Sequence, residues 1–309
     1  MNDHCLIIKP RATDYVLGAN SPIELKSNLP SANWLPYTEF FERQLIANGD
    51  TDGCVLFTAQ ESFDAQMELL IQSGKIDATT LALFNSLGYM DTGMDGKPHF
   101  HSSPRFLQIL TGNGFNGNAL YDPWDVMRTY GVLPWKDLPV EGTMETYLTG
   151  LTDAMKAKAA QFLQAIGGKN SIQYHWVMNG SENQPAMIQA LPTAPLCLGV
   201  NVGSDWNQIN PPPPPSGADP GHAVMNYQII TNNFYVYDHY LPNPKDLINY
   251  PVIYALQGVV SFNPPPPSLP SNSTVPQIQN WLTRLIAWLK NLSANLNGIK
   301  GRFLKAIQK

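Results

Sequence analysis

Residues 50–63 read DTDGCVLFTAQESF. This stretch places a thiol, Cys54, at the start of a run that contains neither glycine nor proline until Gly74. Further along the run, apolar residues recur at spacings of three and four, the period of one helical face. They are Phe63, Met67, Leu70 and Ile71. The pattern therefore predicts a helix that begins at Cys54 and buries one face.

A thiol on the first turn of a helix has two interpretations. The positive end of the helix dipole favours the thiolate, which is the nucleophilic form of cysteine. A lone cysteine is also often a buried and inert core residue. The choice between them depends on whether the chain supplies a histidine and a group that orients it.

Composition excludes several classes of protein. The chain has 309 residues, 43% of them hydrophobic and 14% charged, which is typical of a folded protein. Its formal net charge of −5 argues against a nucleic-acid role. Three cysteines lie far apart and indicate neither a disulfide framework nor a zinc site. They are Cys5, Cys54 and Cys197, of which the first and third are predicted to lie in core strands.

The N-terminus contains only a short apolar run, Cys5 to Ile8, which is not typical of a secretory signal. No stretch of the sequence approaches the length of a membrane span. These two features lead us to expect a cytoplasmic or particle-associated protein, and they leave its localisation otherwise unknown.

The two halves of the chain differ in pattern. Residues 40–170 contain helical patterns, at 78–87, 123–130 and 152–166 after the Cys54 helix. Residues 171–262 contain stranded patterns, at 171–178, 196–202, 223–230 and 234–237. A short turn joins the last two strands, which predicts an antiparallel hairpin. A helical half followed by a stranded half predicts an α+β fold in two lobes.

The C-terminal segment differs from both halves. Residues 263–274 are proline-rich and are predicted to form a linker. Residues 275–309 contain six Lys and Arg residues, no Asp or Glu, and apolar residues at helical spacing. They predict a basic amphipathic helix. Such a helix packs on the protein's own core, in the groove of an assembly partner, or on an anionic membrane surface.

His222 is the most informative of the six histidines. It lies at the start of the apolar strand predicted at 223–230, and the hairpin partner ends in Tyr237-Asp238. If the two strands pair about their turn, Asp238 returns close to His222. A carboxylate there can bind one imidazole nitrogen and leave the other facing a nucleophile such as Cys54. The other interpretation of His222 is a core histidine with satisfied hydrogen bonds.

Acyl transfer also needs hydrogen-bond donors for the developing oxyanion. The backbone N–H of Cys54 is one candidate and the side-chain amide of Gln44 is another, although a solvated amide is an equally simple interpretation of Gln44.

His99 and His101, with Asp91 and Asp95 nearby, lie in a Gly/Pro-rich loop. We expect both histidines to be solvated, and we predict no metal and no cofactor.

The order of these residues and the motifs around them resemble the papain-like cysteine peptidases over residues 33–260. The similarity is greatest to a variant found in bacteria and their phages, which has Asp in place of the usual Asn. The motifs that carry the resemblance are WLP (34–36), Gln44, Cys54, GNGFNG (112–117), YGVLPW (130–135), MIQALPTAPL (187–196), GHAV (221–224) and YVYDHY (235–240).

The resemblance implies a papain-like two-lobe domain at 33–262, preceded by an N-terminal strand and arm at 1–32. It implies a thiol hydrolase that acts on a peptide or protein substrate, with Cys54 as nucleophile, His222 as acid and base, Asp238 as orienter and Gln44 in the oxyanion site. One alternative is a catalytically weak or inactive papain-fold assembly component, for example of a phage particle, attached through the amphipathic helix at residues 275–309. A second is an amidase or a transglutaminase-type acyl transferase.

Overall fold

The chain divides into two compact units, residues 1–263 and 264–309. The computed structural model describes residues 10–180, 182–203, 205–214, 221–231 and 233–262, together with Leu282, Leu285, Ile286, Leu289 and Lys290 of the second unit. These last five residues are helical. The strand predicted at Cys5–Ile8, the linker and most of the predicted helix at 275–309 lie outside the described residues.

Six α-helices are present in the described part of the first unit. They are α1 (Cys54–Gln72), α2 (Ala78–Leu87), α3 (Pro104–Thr111), α4 (Asp122–Tyr130), α5 (Asp153–Ile166) and α6 (Gln184–Ala190). Local sequence determines several of their ends. Asp77 and Thr152 cap α2 and α5 by accepting backbone N–H bonds. Gly88 and Gly167 end the same helices in the left-handed conformation.

Within the described residues, the strands form one six-stranded antiparallel sheet and two small hairpins. The hairpins pair β1 (Leu45–Ile46) with β2 (Gly49–Asp50), and β3 (Met90–Thr92) with β4 (Pro98–Phe100). The sheet has the order β5-β10-β6-β7-β8-β9. Its strands are β5 (Ile172–Asn179), β6 (Leu196–Val200), β7 (His222–Ile230), β8 (Asn233–Tyr237), β9 (Lys245–Ile248) and β10 (Tyr254–Val260). The predicted succession of a helical lobe and an antiparallel β lobe is confirmed.

The β7–β8 hairpin positions the residues of interest. Its strands pair antiparallel as predicted, with Met225 opposite Tyr237. Val200 of β6 is opposite His222, so His222 lies at the very start of its strand. Asp238 directly follows Tyr237, and the hairpin therefore returns its carboxylate to the end of the sheet where β7 begins.

Helix α1 is buried on every side, which corrects the prediction of a single buried face. All residues from Cys54 to Leu69 are buried, polar ones included. The helix contacts the sheet through β7 and β10, and it contacts α3 and α4 on another side. Periodicity identified the apolar residues of α1, but its polar residues are covered by segments distant in sequence.

One buried amide ties α1 to the sheet. The Gln66 side chain donates to the Gly258 carbonyl oxygen at 3.1 Å and accepts from the Val260 N–H at 2.9 Å. Gly258 leaves the space that the Trp124 indole ring of α4 occupies, since a Cβ atom built there would overlap the ring. Helix α1, helix α4 and strand β10 thus pack at a distance that only glycine permits.

No helix in the described part of the chain is long and apolar enough to cross a membrane.

The Gly258→Ala variant tests this packing. The added methyl group must displace the Trp124 ring, and overpacking of this kind lowers the free energy of unfolding by about 2 kcal/mol. Urea unfolding followed by tryptophan fluorescence measures the change. Gly203→Ala is the control, because nothing lies within 4 Å of a Cβ atom there. A Gly258→Ala variant as stable as this control would contradict the close contact.

Candidate active site

Cys54 is the first residue of α1, and the turn before it is sterically restricted. Asp52 has a left-handed φ of 51°, and its N–H donates to the Asp50 carboxylate at 3.0 Å. At Gly53, a Cβ atom would lie 2.7 Å from Oε1 of Gln108. Glycine therefore lets the chain enter the helix here without displacing the buried Gln108 amide. The turn places the Cys54 thiol at the positive end of the α1 dipole.

His222 joins the thiol to a carboxylate. Its Nε2 atom lies 2.8 Å from Oδ1 of Asp238, and its ring also makes a side-chain hydrogen bond with Cys54. With Nε2 engaged by the carboxylate, Nδ1 is the nitrogen that faces the thiol. The structure thus brings Cys54, His222 and Asp238 into one continuous chain of contacts.

The Asp238 carboxylate is fully buried and has three side-chain partners. Besides His222, the indole Nε1 of Trp206 donates to Oδ2 at 2.8 Å, and Nζ of Lys245 lies 3.4 Å from Oδ2. Burial alone would raise the pKa of Asp238, but the charges of His222 and Lys245 and the His222 hydrogen bond lower it below its usual value. Asp238 is therefore an ionised carboxylate inside the protein.

The same interactions change the pKa of His222. Burial favours the neutral imidazole, but Asp238 and Cys54 outweigh it and raise the pKa of His222 to about 10. The imidazolium form is therefore favoured at neutral pH. An imidazolium beside a thiol favours the thiolate.

Two aromatic side chains pack against the His222 ring. The Trp206 ring lies edge-on, with its centroid 5.4 Å from that of His222, and the Tyr240 ring is tilted at the same separation. Two other aromatic side chains, Tyr121 and Trp124, are instead buried in the core cluster around α1.

Gln44 lies beside this group and is buried, so the interpretation of a solvated amide is wrong. Its Nε2 atom donates to Oδ1 of Asp50 at 2.9 Å and also to the Tyr240 hydroxyl group. The Tyr240 hydroxyl in turn donates to the Asp50 carboxylate. Gln44, Asp50 and Tyr240 thus form a hydrogen-bonded network next to the His222 ring.

The remaining described cysteine, Cys197, lies in β6 and is buried as predicted. Its burial raises the pKa of the thiol to about 12, which makes it a poor nucleophile. Its environment contrasts with that of Cys54, which adjoins a protonated imidazole.

His99 and His101 are buried, so the prediction that they are solvated is wrong. Nδ1 of His99 lies 2.9 Å from the Glu68 carboxylate, and its Nε2 lies 2.9 Å from that of Asp95. The His101 ring stacks between the Phe40 and Trp135 rings. Strand β4 carries His99 onto Glu68 of α1, and His101 directly follows the strand. The acidic residues of α1 were not predicted to face inward.

Lys245 and Asp50 are site residues that sequence reasoning missed. Lys245 begins β9 and reaches Asp238 across the sheet, and no motif or spacing in the sequence indicates this contact. One feature of the sequence could have identified Asp50: it lies four residues before Cys54, in a turn made of polar residues and glycine. A carboxylate in such a turn commonly accepts hydrogen bonds from nearby backbone N–H groups.

The sequence matches no protein-family model and no curated protein. Solved structures are similar to it. Xylellain, a cysteine protease from Xylella fastidiosa, superimposes with a TM-score of 0.51 at 14% identity, over 84% of this chain and 96% of that one. The chain has a papain-like fold.

Two further structures are similar at lower scores. Digestive procathepsin L 3 of the Tenebrio molitor larval midgut has a TM-score of 0.48 at 11% identity, covering 82% of this chain and 76% of that one. The Carica candamarcensis cysteine protease CMS1MS2 has a TM-score of 0.47 at 12% identity, covering 74% and 97%. In the papain-like fold of the present chain, Cys54 begins the central helix and His222 begins a strand of the β lobe.

The Lys245→Met variant tests the buried ion pair. It removes the ammonium group, leaves the Asp238 charge less compensated and deprives the Tyr240 and Pro242 carbonyl groups of a donor. We expect the free energy of unfolding to fall by about 3 kcal/mol, as is typical when one partner of a buried pair is lost. Urea unfolding measures it.

Lys156→Met is the matched control for this variant. Lys156 pairs with Asp153 on the exposed side of α5, where an ion pair contributes about 0.5 kcal/mol or less. Equal, small losses of stability in the two variants would contradict a buried charge network at Asp238.

Proposed function

We propose that the chain is a papain-like thiol hydrolase that cleaves peptide or amide bonds. The observation that supports it best is the continuous contact from the Cys54 thiol through the His222 ring to the buried Asp238 carboxylate. A nucleophile, a base within hydrogen-bonding distance and a third group that orients the base are the arrangement that covalent acyl transfer requires. The papain-like fold is consistent with this chemistry.

The first half of the proposed reaction forms an acyl-enzyme. The Cys54 thiolate attacks the carbonyl carbon of the substrate, and a C–S bond forms as the carbonyl oxygen takes up the negative charge. The tetrahedral intermediate then collapses, the C–N bond breaks, and the His222 imidazolium gives its proton to the leaving nitrogen. An amine departs and a thioester on Cys54 remains.

The second half releases the acid. His222, now neutral, removes a proton from a water molecule that attacks the thioester carbonyl carbon. The C–S bond breaks, a carboxylic acid leaves, and the thiolate and imidazolium are restored. Throughout, Asp238 holds the His222 ring in one orientation through Nε2 and stabilises its positive charge. The buried Trp206 N–H and Lys245 keep that carboxylate ionised and in place.

The oxyanion requires donors near Cys54. The backbone N–H of Cys54, at the first position of α1, is directed out of the helix end together with the positive end of the dipole. The amide of Gln44 is the second proposed donor. Both of its N–H bonds are already directed at Asp50 and Tyr240. In this proposal, one of those bonds is exchanged for a bond to the oxyanion when substrate binds.

Alkylation of the thiols tests the nucleophile. The full-length protein is treated with iodoacetamide at pH 6, and modified cysteines are mapped by mass spectrometry. We expect Cys54 to react at least about 10-fold faster than Cys197, because Cys54, unlike Cys197, adjoins an imidazolium that favours the thiolate. His222→Ala should slow the reaction of Cys54 by about 100-fold, in line with the loss of a catalytic base.

Two controls accompany the experiment. Cys197→Ser should leave labelling of Cys54 unchanged. His175→Gln should do so too, because His175 of β5 bonds to Ser21 and to Gln257 of β10, apart from the site. Slow and equal labelling of Cys54 and Cys197 would contradict the proposal. So would a Cys54 reactivity that is the same in the wild type and in His222→Ala.

A further inference from the structure

The β1–β2 hairpin places Gln44 and Asp50 side by side, shortly before the helix that carries the thiol. Leu45 pairs with Asp50 in this hairpin, and the Thr51 N–H donates to the Gln44 carbonyl oxygen at 3.0 Å. Two antiparallel segments of backbone therefore hold the Gln44 amide and the Asp50 carboxylate next to each other. Both side chains come from the short stretch of sequence that leads into α1.

The side-chain amide of Gln44 has both of its N–H groups engaged. Nε2 donates to Oδ1 of Asp50 at 2.9 Å and to the Tyr240 hydroxyl oxygen. The opposite orientation of the amide would bring its oxygen against the Asp50 carboxylate, so the hydrogen-bond network assigns Nε2 to this side. Among the residues that the structure describes, none bonds to Oε1, although this atom is buried. The amide is therefore held in place by its two N–H bonds.

The two acceptors of these N–H groups differ in strength. Asp50 offers a carboxylate, and a hydrogen bond to an ionised acceptor is roughly twice as strong as one to a neutral acceptor. Tyr240 offers a phenol oxygen, and its own O–H donates to the Asp50 carboxylate. Burial, this hydrogen bond and the charge of Asp50 hold the pKa of Tyr240 above its ordinary value, so the phenol is neutral at pH 7. The bond from Gln44 to Tyr240 is thus the weaker of the two.

Tyr240 also adjoins the reacting groups. Its ring is tilted against the His222 ring, with the two centroids 5.4 Å apart. Cys54 is close enough for its negative charge to contribute to the raised pKa of the Tyr240 hydroxyl group. The N–H that Gln44 directs at Tyr240 therefore ends on a residue beside the thiol and the imidazole.

We propose that the Tyr240 hydroxyl oxygen stands in for the oxyanion in the substrate-free protein, and that Asp50 is the fixed acceptor that orients the Gln44 amide. When the thiolate attacks, the substrate's carbonyl oxygen becomes an anion and takes over the N–H that Tyr240 accepted. The bond from Gln44 to Asp50 persists, and Tyr240 keeps its own bond to Asp50. The inference rests on the proposed function and makes Asp50 and Tyr240 positioning residues that act through Gln44.

This exchange affects acylation of the thiol and leaves simple alkylation alone. Acylation passes through a tetrahedral intermediate whose oxyanion needs hydrogen-bond donors. Alkylation by iodoacetamide takes place at a saturated carbon, where the C–S bond forms as the C–I bond breaks and iodide leaves, and no oxyanion develops. The ratio of the two rates therefore reports on the oxyanion donors separately from the thiolate.

The Tyr240→Phe variant of the full chain tests the exchange. It keeps the ring beside His222 and removes the oxygen that occupies the Gln44 N–H. The acylating reagent is p-nitrophenyl acetate, whose acetyl group is transferred to Cys54 as p-nitrophenolate leaves, and the rate of Cys54→Ala is subtracted. We expect acylation about 10-fold faster than in the wild type, because no bond to Tyr240 has to be given up. Alkylation by iodoacetamide at the same pH should be unchanged.

Further variants link the effect to the Gln44 amide and to its anchor. Gln44→Ala should slow acylation by about 100-fold without changing alkylation, as is typical when one oxyanion donor is lost. Gln44→Ala combined with Tyr240→Phe should show none of the gain, because the donor itself is absent. Asp50→Ala should also slow acylation. Asp50→Asn should largely restore it, since an amide oxygen can accept the same bond from Gln44.

Tyr89→Phe is the matched control. It removes another buried tyrosine hydroxyl group, which donates to the Val132 carbonyl oxygen at 2.7 Å in the helical lobe, and both rates should equal those of the wild type. Acylation in Tyr240→Phe that is no faster than in the wild type, with alkylation retained, would overturn this inference and leave the proposed function standing. Slow alkylation of Cys54 in the wild type itself would contradict the proposed function and this inference with it.

Discussion

The fully buried carboxylate of Asp238 is the interaction on which the arrangement of the site depends. An isolated ion at that position would be costly, and the protein offsets the cost with the His222 ring, the Trp206 N–H and the Lys245 ammonium group. Each partner comes from a different segment: the start of β7, the loop before it, and β9. One charge therefore fixes the end of the β7–β8 hairpin and orients the imidazole that faces Cys54.

Local patterns were sufficient to predict much of this arrangement. The run without glycine or proline after Gly53 predicted where α1 begins, and the short turn between β7 and β8 predicted the hairpin that returns Asp238 to His222. The α+β succession of lobes followed from the same kind of information. These features depend on residues close together in sequence, where periodicity and turn chemistry dominate.

Features that depend on distant segments could not be predicted. The polar residues of α1 suggest a solvent-facing side, yet the structure covers them with the segment around Glu39 and with β4. Lys245 reaches Asp238 without any local signal. The hydrogen bonds of Gln44 to Asp50 and Tyr240 likewise join residues as far as 196 positions apart in sequence. Helix α1 thus carries a thiol at its first turn and buried carboxylates at its middle.

The charge state of His222 is the central claim of this account. Nitrogen-15 NMR of the imidazole rings, with His222→Gln used to assign the signal, measures it directly in the full chain. The account predicts that both His222 nitrogens remain protonated at pH 8, because Asp238 and the Cys54 thiolate raise its pKa to about 10 from an ordinary value near 6.5. A His222 ring that loses its proton between pH 6 and 7 would contradict it.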